Sequence, residues 1–334
     1  MTYSSGGLIQ AVDYNGFASS TGGANVNDIW GGGSGDKGWG QSSTLSTVSA
    51  AGTVTATQWA DLVNRITSLG NQTGTSLTAR SAPTAGATIN ILSNLNTDLT
   101  NCTTNRGNAA AVGSTYATFS GTTSKTGATA NNQAGWTITF IHTVTFPSAD
   151  QARYFWNAGG RVLLDFSKTS TGTDTDPDWN SFAATIGTIS FVGRVNGANQ
   201  TLAGTSYNGT TKTGGSGTPN TLTTGIGWYN LTPGAVSTLI FKQFDNVYQY
   251  TSNFIQVEAA RNAASTSLTL YTSWFDSGYP AVWGRDNSIS GGTATASPFT
   301  AFGTAPTTLC RYVPPSTTYL TNTWGTPTIT AAVS

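Results

Sequence analysis

Charged residues are scarce in this chain of 334 residues. Asp, Glu, Lys and Arg make up 8% of it, against about 25% in typical soluble domains. The 14 basic and 14 acidic residues cancel to a formal net charge of zero, and Lys and Arg never form a run. Because phosphate recognition depends on clustered positive charge, the sequence argues against nucleic acid as a partner.

Histidine occurs once, at position 142, and this limits the available chemistry. A Ser-His-Asp triad would have to use His142. A histidine-based zinc site is excluded by count, and Cys102 and Cys310 cannot supply the remaining ligands. His142 lies in the middle of a predicted strand, on a face shared with Phe140 and Phe146. This favours a hydrogen-bonded core histidine over a catalytic one, and we expect neither a cofactor nor an enzymatic activity.

Cysteine is nearly absent too, since Cys102 and Cys310 are the whole complement. They form no C-x-x-C pair and no metal-ligand spacing. Two buried free thiols are the prediction, with a disulfide as the alternative. The N-terminus lacks the basic and apolar regions of a secretory signal, and no apolar run approaches the ~20 residues of a membrane span. We therefore expect no membrane insertion.

Aromatic residues, by contrast, are plentiful and evenly spread. They make up 11% of the chain, including ten Trp, within a hydrophobic content of 37%. A chain of this composition can bury a core, and its surface is expected to consist of hydroxyl and amide groups. A neutral, sparsely charged surface is typical of a subunit that is covered by neighbours, so we expect a homo-oligomer.

Residues 1–56 are rich in glycine and weakly periodic. The stretch L-I-Q-A-V-D-Y-N-G-F predicts a short strand or turn. The following N-D-I-W-G-G-G-S-G-D-K-G-W-G-Q contains Trp30 and Trp39, which give an otherwise flexible segment something to bury. Its G-x-G-D-K-G lacks the spacing of a phosphate-binding loop. We interpret residues 1–56 as an extended assembly arm that docks on another subunit.

Residues 57–110 show helical periodicity twice. The first helix is predicted over residues 57–70, with Thr57 as N-cap and Gly70 as terminator. The second is predicted over about 87–104. Two such helices joined by a polar link predict a helical hairpin whose apolar stripes pack on each other or on a neighbouring subunit. Together with the arm, the hairpin supplies these interface candidates: Trp30, Trp39, Trp59, Leu62 and Ile66.

From residue 111 to 334 the pattern is mostly that of strands, which predicts an antiparallel β-sandwich-like domain with one or two short helices. The fold class is therefore α+β, mainly β. The strand with the most regular alternation is 136–146. It is followed by Pro147, a capping box at Ser148 and Gln151, a short helix, and a stop at Gly159-Gly160. The other predicted strands are Tyr116–Ser120, Arg161–Lys168, Gly187–Val195, Ser237–Phe244, Phe254–Ala260, Ser267–Phe275 and Leu309–Val313.

Three carboxylates in five positions, Asp174, Asp176 and Asp178, suggest an oxygen-ligand cluster for calcium. The EF-hand pattern fails, because its sixth position is Trp179 and its twelfth is Thr185. A weak metal site is one interpretation. The alternative is a solvated loop in which Asp178 caps the next helix.

Aromatic pairs in the β half could stack on sugars, although aromatic residues in β-rich chains are more often core. The weak sugar-stacking candidates are Trp228, Tyr229, Tyr279 and Trp283. Polysaccharide cleavage would further need two carboxylates that flank the scissile bond. Asp165, Glu258 and Asp276 each lie in or beside a predicted strand, but nothing in the sequence pairs them.

Several stretches resemble virion structural proteins of tailed bacteriophages, in particular tail-fibre-like or baseplate-associated components of cyanophage-type genomes. They are Y-S-S-G-G-L-I-Q-A-V-D-Y-N, the I-W-G-G-G-S-G-D-K-G-W-G-Q segment, T-A-T-Q-W-A-D-L-V-N-R-I, the T-N-R that closes the second helix, and A-R-Y-F-W-N-A-G-G. The resemblance covers the first 110 residues and the 130–170 stretch, and it fades in the C-terminal third. It implies a particle component and carries over no catalytic residue.

The resemblance and the composition together predict a structural subunit of a phage virion. We expect it in the tail, baseplate or fibre apparatus, assembled in the host cytoplasm beside other virion subunits. One alternative is a module that binds or cleaves host-surface carbohydrate. Another is a head decoration or neck protein, which differs from the first prediction only in location.

Overall fold

The computed structural model describes residues 10–19, 24–85, 92–108, 122–126, 136–169, 176–247, 251–277 and 306–334. The fold is α+β and mainly β, with a helical N-terminal region, as predicted. The helices are α1 (Ala11–Ser19), α2 (Val26–Trp30), α3 (Ala56–Thr73), α4 (Leu92–Thr104), α5 (Ala149–Asn157) and α6 (Asp176–Ile186). None of these described helices combines the length and apolarity that crossing a bilayer requires.

The strands form two larger antiparallel sheets and one small hairpin. The five-stranded sheet has the order β1 (Thr122–Thr126), β12 (Thr307–Val313), β3 (Arg161–Ser167), β4 (Thr188–Val192) and β7 (Thr210–Thr213). The six-stranded sheet has the order β13 (Thr328–Val333), β2 (Trp136–Thr145), β11 (Ser267–Asp276), β10 (Phe254–Arg261), β9 (Thr238–Phe244) and β8 (Thr221–Leu222). The hairpin pairs β5 (Gln200–Leu202) with β6 (Thr205–Tyr207).

The two larger sheets pack face to face around an aromatic core. Phe166 of β3 lies 6.5 Å from Phe241 of β9 and 6.5 Å from Trp274 of β11, ring centroid to ring centroid. The Trp274 indole also donates a hydrogen bond to Thr308 of β12 at 3.0 Å. Buried large rings of this kind dominate core energetics. The predicted sandwich is therefore present, with its core between these inner faces.

The predicted unit of strand, capped helix and glycine stop is confirmed. The Ser148 hydroxyl accepts a hydrogen bond from the backbone N–H of Gln151 at 3.1 Å and caps α5. Gly159 then takes φ +95°, a conformation that L side chains rarely adopt. A Cβ on Gly160 would lie 2.6 Å from the Phe155 ring. Local sequence alone thus fixes the turn from α5 into β3.

The helical region differs from the prediction at four places. Residues 11–19 form α1 instead of a strand or turn, and residues 26–30 form α2 within the predicted extended arm. The first predicted helix is longer at both ends, because Thr55, and not Thr57, forms a capping box with Gln58. It continues through Gly70 and ends at Gly74, whose φ of 64° lies in the left-handed region. The Cα of Gly70 faces Leu77 closely, which explains a glycine inside a helix.

Several strands escaped prediction because they are short and rich in threonine. They are β1, β5, β6, β7, β8 and β13. Such strands carry little of the apolar alternation on which the predictions depended. The expected strand Tyr116–Ser120 and the expected start of the second helix at residue 87 lie outside the described residues.

Candidate functional site

Residues 31–41, here called the Gly–Trp segment, fold back on the end of α2. The backbone N–H groups of Trp39 and Gln41 donate to the carbonyls of Ile29 and Trp30, each at 2.8 Å, and Gly40 donates to Gly31 at the same distance. The segment is therefore a closed loop with defined hydrogen bonds.

Glycine is required at two positions of this loop. Gly38 has φ +89°, and a Cβ there would overlap the carbonyl of Gly32. Gly40 has φ +68°, and a Cβ there would overlap the ring of Tyr154 on α5. Both positions demand a left-handed backbone and close approach at once, which glycine alone supplies without strain.

Trp39 anchors the Gly–Trp segment inside the protein. Its side chain is fully buried, and its indole N–H lies 3.1 Å from the carbonyl oxygens of both Arg106 and Asn157. Trp30 packs against it edge-on with ring centroids 6.4 Å apart. A buried indole makes a large apolar contact, and the hydrogen bonds of its N–H fix the orientation of the ring. Trp39 thus joins the end of α4 to the end of α5.

An ion pair fixes the tip of the loop. The Asp36 carboxylate accepts hydrogen bonds from the Arg106 guanidinium at 2.8 Å and from the backbone N–H of Asn196 at 2.6 Å. Arg106 also donates to the Thr103 carbonyl at 2.7 Å, and its side chain is 2% exposed. A buried charge is tolerated when its partners satisfy it in this way.

Further polar contacts tie the loop to the β sandwich. Arg153 of α5 donates to the carbonyls of Gly32 and Lys37, at 2.5 and 2.7 Å. Gln41 exchanges hydrogen bonds with the backbone of Thr321, at 3.0 Å as donor and 2.9 Å as acceptor. The loop is therefore held from α5 and from the C-terminal stretch.

The five predicted interface residues lie inside the chain. Trp30 is 8% exposed, Trp59 is 1% exposed, and the others are fully buried. On α3, Trp59 packs against Tyr14 and Phe17 of α1, with ring centroids 6.1 and 6.4 Å apart. The expected docking on another subunit is corrected accordingly, because these side chains dock on the chain's own core. The remaining candidates of this set, Leu62 and Ile66, belong to the same core cluster.

Of the two described sugar-stacking candidates, Trp228 is enclosed and Tyr229 is partly buried. Trp228 is 1% exposed and stacks on Trp156, with ring centroids 5.4 Å apart and an interplanar angle of 22°. The Tyr229 hydroxyl donates to the Asn157 side chain at 2.5 Å, and burial raises its pKa. Trp228 therefore offers no open ring face to a sugar, and Tyr229 is held in place by its hydrogen bond. Tyr279 and Trp283 lie outside the described residues.

Of the three predicted calcium ligands, Asp178 meets other carboxylates from distant parts of the chain. Burial, a hydrogen bond to Asp245, and the charges of Asp245 and Asp276 raise the pKa of Asp178 to about 8. Asp245 and Asp276 are 4% and 6% exposed, and the Trp179 indole donates to Asp276 at 3.2 Å. A carboxyl pair of this kind holds a proton between its members.

A metal is not indicated at this cluster. Across the part of the chain that the structure describes, no three His, Cys, Asp or Glu side chains are arranged to hold a metal ion. Asp174 lies outside the described residues, and Asp176 begins α6. Sequence spacing pointed to neighbours along the loop, whereas the fold brings Asp178 to Asp245.

The three carboxylates considered for polysaccharide cleavage are not brought together. Asp165 lies on the outer face of the five-stranded sheet, paired with Arg311 at 2.7 Å. Glu258 lies on the outer face of the opposite sheet and accepts a hydrogen bond from Ser237 at 2.5 Å. Asp276 is buried. Glycosidase chemistry needs its two carboxylates on either side of one bond, which this placement does not provide.

The thiols and the histidine have structural positions. Cys102 and Cys310 are both free and buried, as predicted. Burial raises the pKa of the Cys102 thiol to about 12 and that of Cys310 further still. A protonated, enclosed thiol is unreactive. His142 is fully buried on the inner face of β2, in agreement with a core residue.

The outer face of the six-stranded sheet is unusual for its aromatic content. Phe254 on β10 is paired in register with Phe244 on β9 and Phe275 on β11. The ring centroids lie 5.5 and 4.6 Å apart, so the three rings form one row across three strands, here called the aromatic row. All three rings are half-buried, and Tyr271 and Ile141 lie two rows away on the same face.

Comparisons with protein-family models, with curated proteins and with solved structures found no match to this chain.

Proposed function

We propose that this chain is a non-enzymatic structural subunit of a tailed-phage particle, which acts by assembling with copies of itself and with other virion subunits. The observation that carries the proposal is the outer face of the six-stranded sheet. There an aromatic row lies half-exposed on a body whose surface is otherwise poor in charge. Apolar patches of this kind mark interaction surfaces.

The interior supports the same proposal. Trp39, Arg106 and Asn157 join the Gly–Trp segment, the helical region and the sandwich through buried hydrogen bonds. A particle component has to keep its shape when neighbours pull on it. Buried rings and ion pairs that hold one element on another give the chain this rigidity. The resemblance of the first 110 residues to phage virion proteins points the same way, toward a tail, baseplate or fibre location.

The test is to locate the protein on particles. Antibodies raised against the purified chain should label intact virions in electron microscopy, and mass spectrometry of purified particles should detect the chain. We expect the label on the tail. A label on the head or neck would support a particle component and reject the tail location. If purified particles lack the chain, the proposal fails.

Glycan binding gains little support from the described aromatic candidates. Among the described candidates, Trp228 stacks on Trp156 in the core, and the Tyr229 hydroxyl is engaged by Asn157.

A further inference from the structure

The outer face of the six-stranded sheet does not follow the usual pattern of an antiparallel sheet. Such a sheet normally has one apolar face toward the core and one polar face toward water. In β10 and β11 the inner face is apolar as expected, with Ile255, Val257 and Trp274 buried. The outer face nevertheless carries the aromatic row at one end and Tyr271 with Ile141 further along. Both faces of these strands are therefore suited to burial.

Two opposite charges lie between these apolar groups. Lys242 on β9 is paired in register with Gln256 on β10, and its ammonium lies 3.5 Å from the centroid of the Phe254 ring. Glu258 is the next outward-facing residue along β10 and accepts a hydrogen bond from Ser237 at 2.5 Å. Lys242 and Glu258 are thus one side-chain row apart, and together they leave the face with no net charge from this pair.

We propose that this outer face binds the same face of a second copy of the chain, around a two-fold axis that runs between Lys242 and Glu258. In a two-fold interface, residue i contacts residue j and residue j contacts residue i. An axis in this position sets Lys242 against Glu258 of the partner subunit, twice per dimer. The inference rests on the proposed function, since it names the surface through which the subunit would assemble.

The dimensions of the face suit a stable dimer. Strands lie about 4.8 Å apart and rise about 3.4 Å per residue, so the five longest strands of this sheet, with 10, 10, 8, 7 and 6 residues, cover roughly 670 Å². Specific interfaces bury about 600–1,000 Å² on each partner, and the face lies within this range. Hydroxyl groups of β2 and β11 lie on the same face, where Thr139 contacts Ser273 and Thr143 contacts Thr269, each pair at 3.2 Å. Aromatic and polar side chains therefore share this face.

The test is a charge reversal and its rescue, measured on the full chain by analytical ultracentrifugation over a concentration series. The wild type should sediment as a dimer. Lys242→Glu and Glu258→Lys each place like charges opposite each other, and each should raise the dimer dissociation constant at least tenfold. The double variant K242E/E258K restores opposite charges across the axis and should recover the wild-type dissociation constant.

Lys212→Glu is the matched control, because it makes the same change on β7 of the other sheet. It should leave dimerisation unchanged. Circular dichroism and thermal melting check that each variant is folded. If Lys242→Glu does not fold, Ser273→Lys tests the same face without removing the contact between Lys242 and Phe254, and it should also weaken the dimer.

Three results would overturn the inference. They are a wild type that stays monomeric at all concentrations, a dimer that ignores both reversals, and folded single variants that the double variant fails to rescue. If the face binds a glycan or another virion protein instead, the wild type should stay monomeric. A monomer found in purified particles would reject this face while leaving the proposed function intact. If the chain forms the two-fold dimer but is absent from particles, the dimer face is supported and the proposed function is rejected.

Discussion

Asp36 and Arg106 lie 70 positions apart in the sequence, yet their side chains form an ion pair at 2.8 Å. The Arg106 side chain is 2% exposed, and the Asp36 side chain 25%. The pair joins the tip of the Gly–Trp segment to the end of α4, and through Asn196 it reaches the loop after β4. Its loss would leave a buried guanidinium whose remaining acceptors, the carbonyls of Asp36 and Thr103 and the side chain of Asn196, carry no charge.

We therefore expect Asp36→Asn to lower the free energy of unfolding by about 3 kcal/mol, the cost typical of removing one partner from a buried pair. Lys37→Met is the matched control, because it breaks the neighbouring pair with Asp28, whose side chains are about 40% exposed. The control should cost about 1 kcal/mol or less. Urea unfolding measures both. Equal losses would show that Asp36 has no special role.

Gly38→Ala should destabilise the protein more than Gly35→Ala. Both glycines have positive φ, so each substitution strains the backbone by about 1–2 kcal/mol. The space around Gly35 is open, whereas a Cβ on Gly38 meets backbone carbonyls of the same loop. Backbone atoms cannot move aside as the end of a side chain can. Thermal melting should therefore rank the variants wild type, Gly35→Ala and Gly38→Ala, in falling order; the reverse order for the two alanines would contradict the described packing.

Stability should fall as the pH rises toward 8. The pKa of Asp178 is raised by burial and by Asp245, above the value of about 3.9 for an unfolded aspartate. The folded state then binds more protons than the unfolded state, so this contribution is complete below pH 4 and is lost as the pH passes the folded pKa. Asp178→Asn removes this titrating group, so the free energy of unfolding should depend less on pH. The variant should gain most stability over the wild type at high pH.

Urea unfolding at pH 5, 7 and 9 measures this effect. Asp61→Asn, on an exposed position of α3, is the control and should keep the wild-type slope. A wild type and an Asp178→Asn variant with parallel pH profiles would show that the carboxyls do not share a proton.

Replacing Gly159-Gly160 by Val-Val should prevent normal folding of the β half. The first position has φ +95°, and the second lies against the ring of Phe155. Both changes oppose the turn that leads from α5 into β3. Gly204→Val is the control, because Gly204 also has a positive φ but has open space around it. Near-ultraviolet circular dichroism, which reports packed aromatics, should be lost in the first variant and kept in the second.

The elements that could be predicted are those whose signals are local. The strand β2 alternates over its whole length, α5 has its own cap at Ser148, and the stop at Gly159 follows directly. By contrast, α1 has an irregular distribution of apolar residues. It is stabilised by packing of Tyr14 and Phe17 on Trp59, a residue that lies far along the chain.

The candidate sites depended on distant contacts and were harder to predict. In β11, bulky residues alternate onto both faces of the strand, and this is the local signal of its aromatic outer face. Nothing local, however, aligns Phe275 with Phe254, or Asp178 with Asp245. Likewise, we expected Trp39 to be buried on another subunit. Its indole N–H instead donates to the carbonyls of Arg106 and Asn157. Sequence spacing does not reveal partners this distant.

The hydrogen bonds between Gln41 and Thr321 join residues 280 positions apart, and they impose an order on folding during synthesis. A ribosome releases the Gly–Trp segment long before it releases Thr321. The segment cannot complete its contacts until Thr321 has emerged. Contacts this distant in sequence are slow to form, because loop closure costs entropy before any contact offsets it. The Gly–Trp segment therefore finishes folding together with the stretch around Thr321.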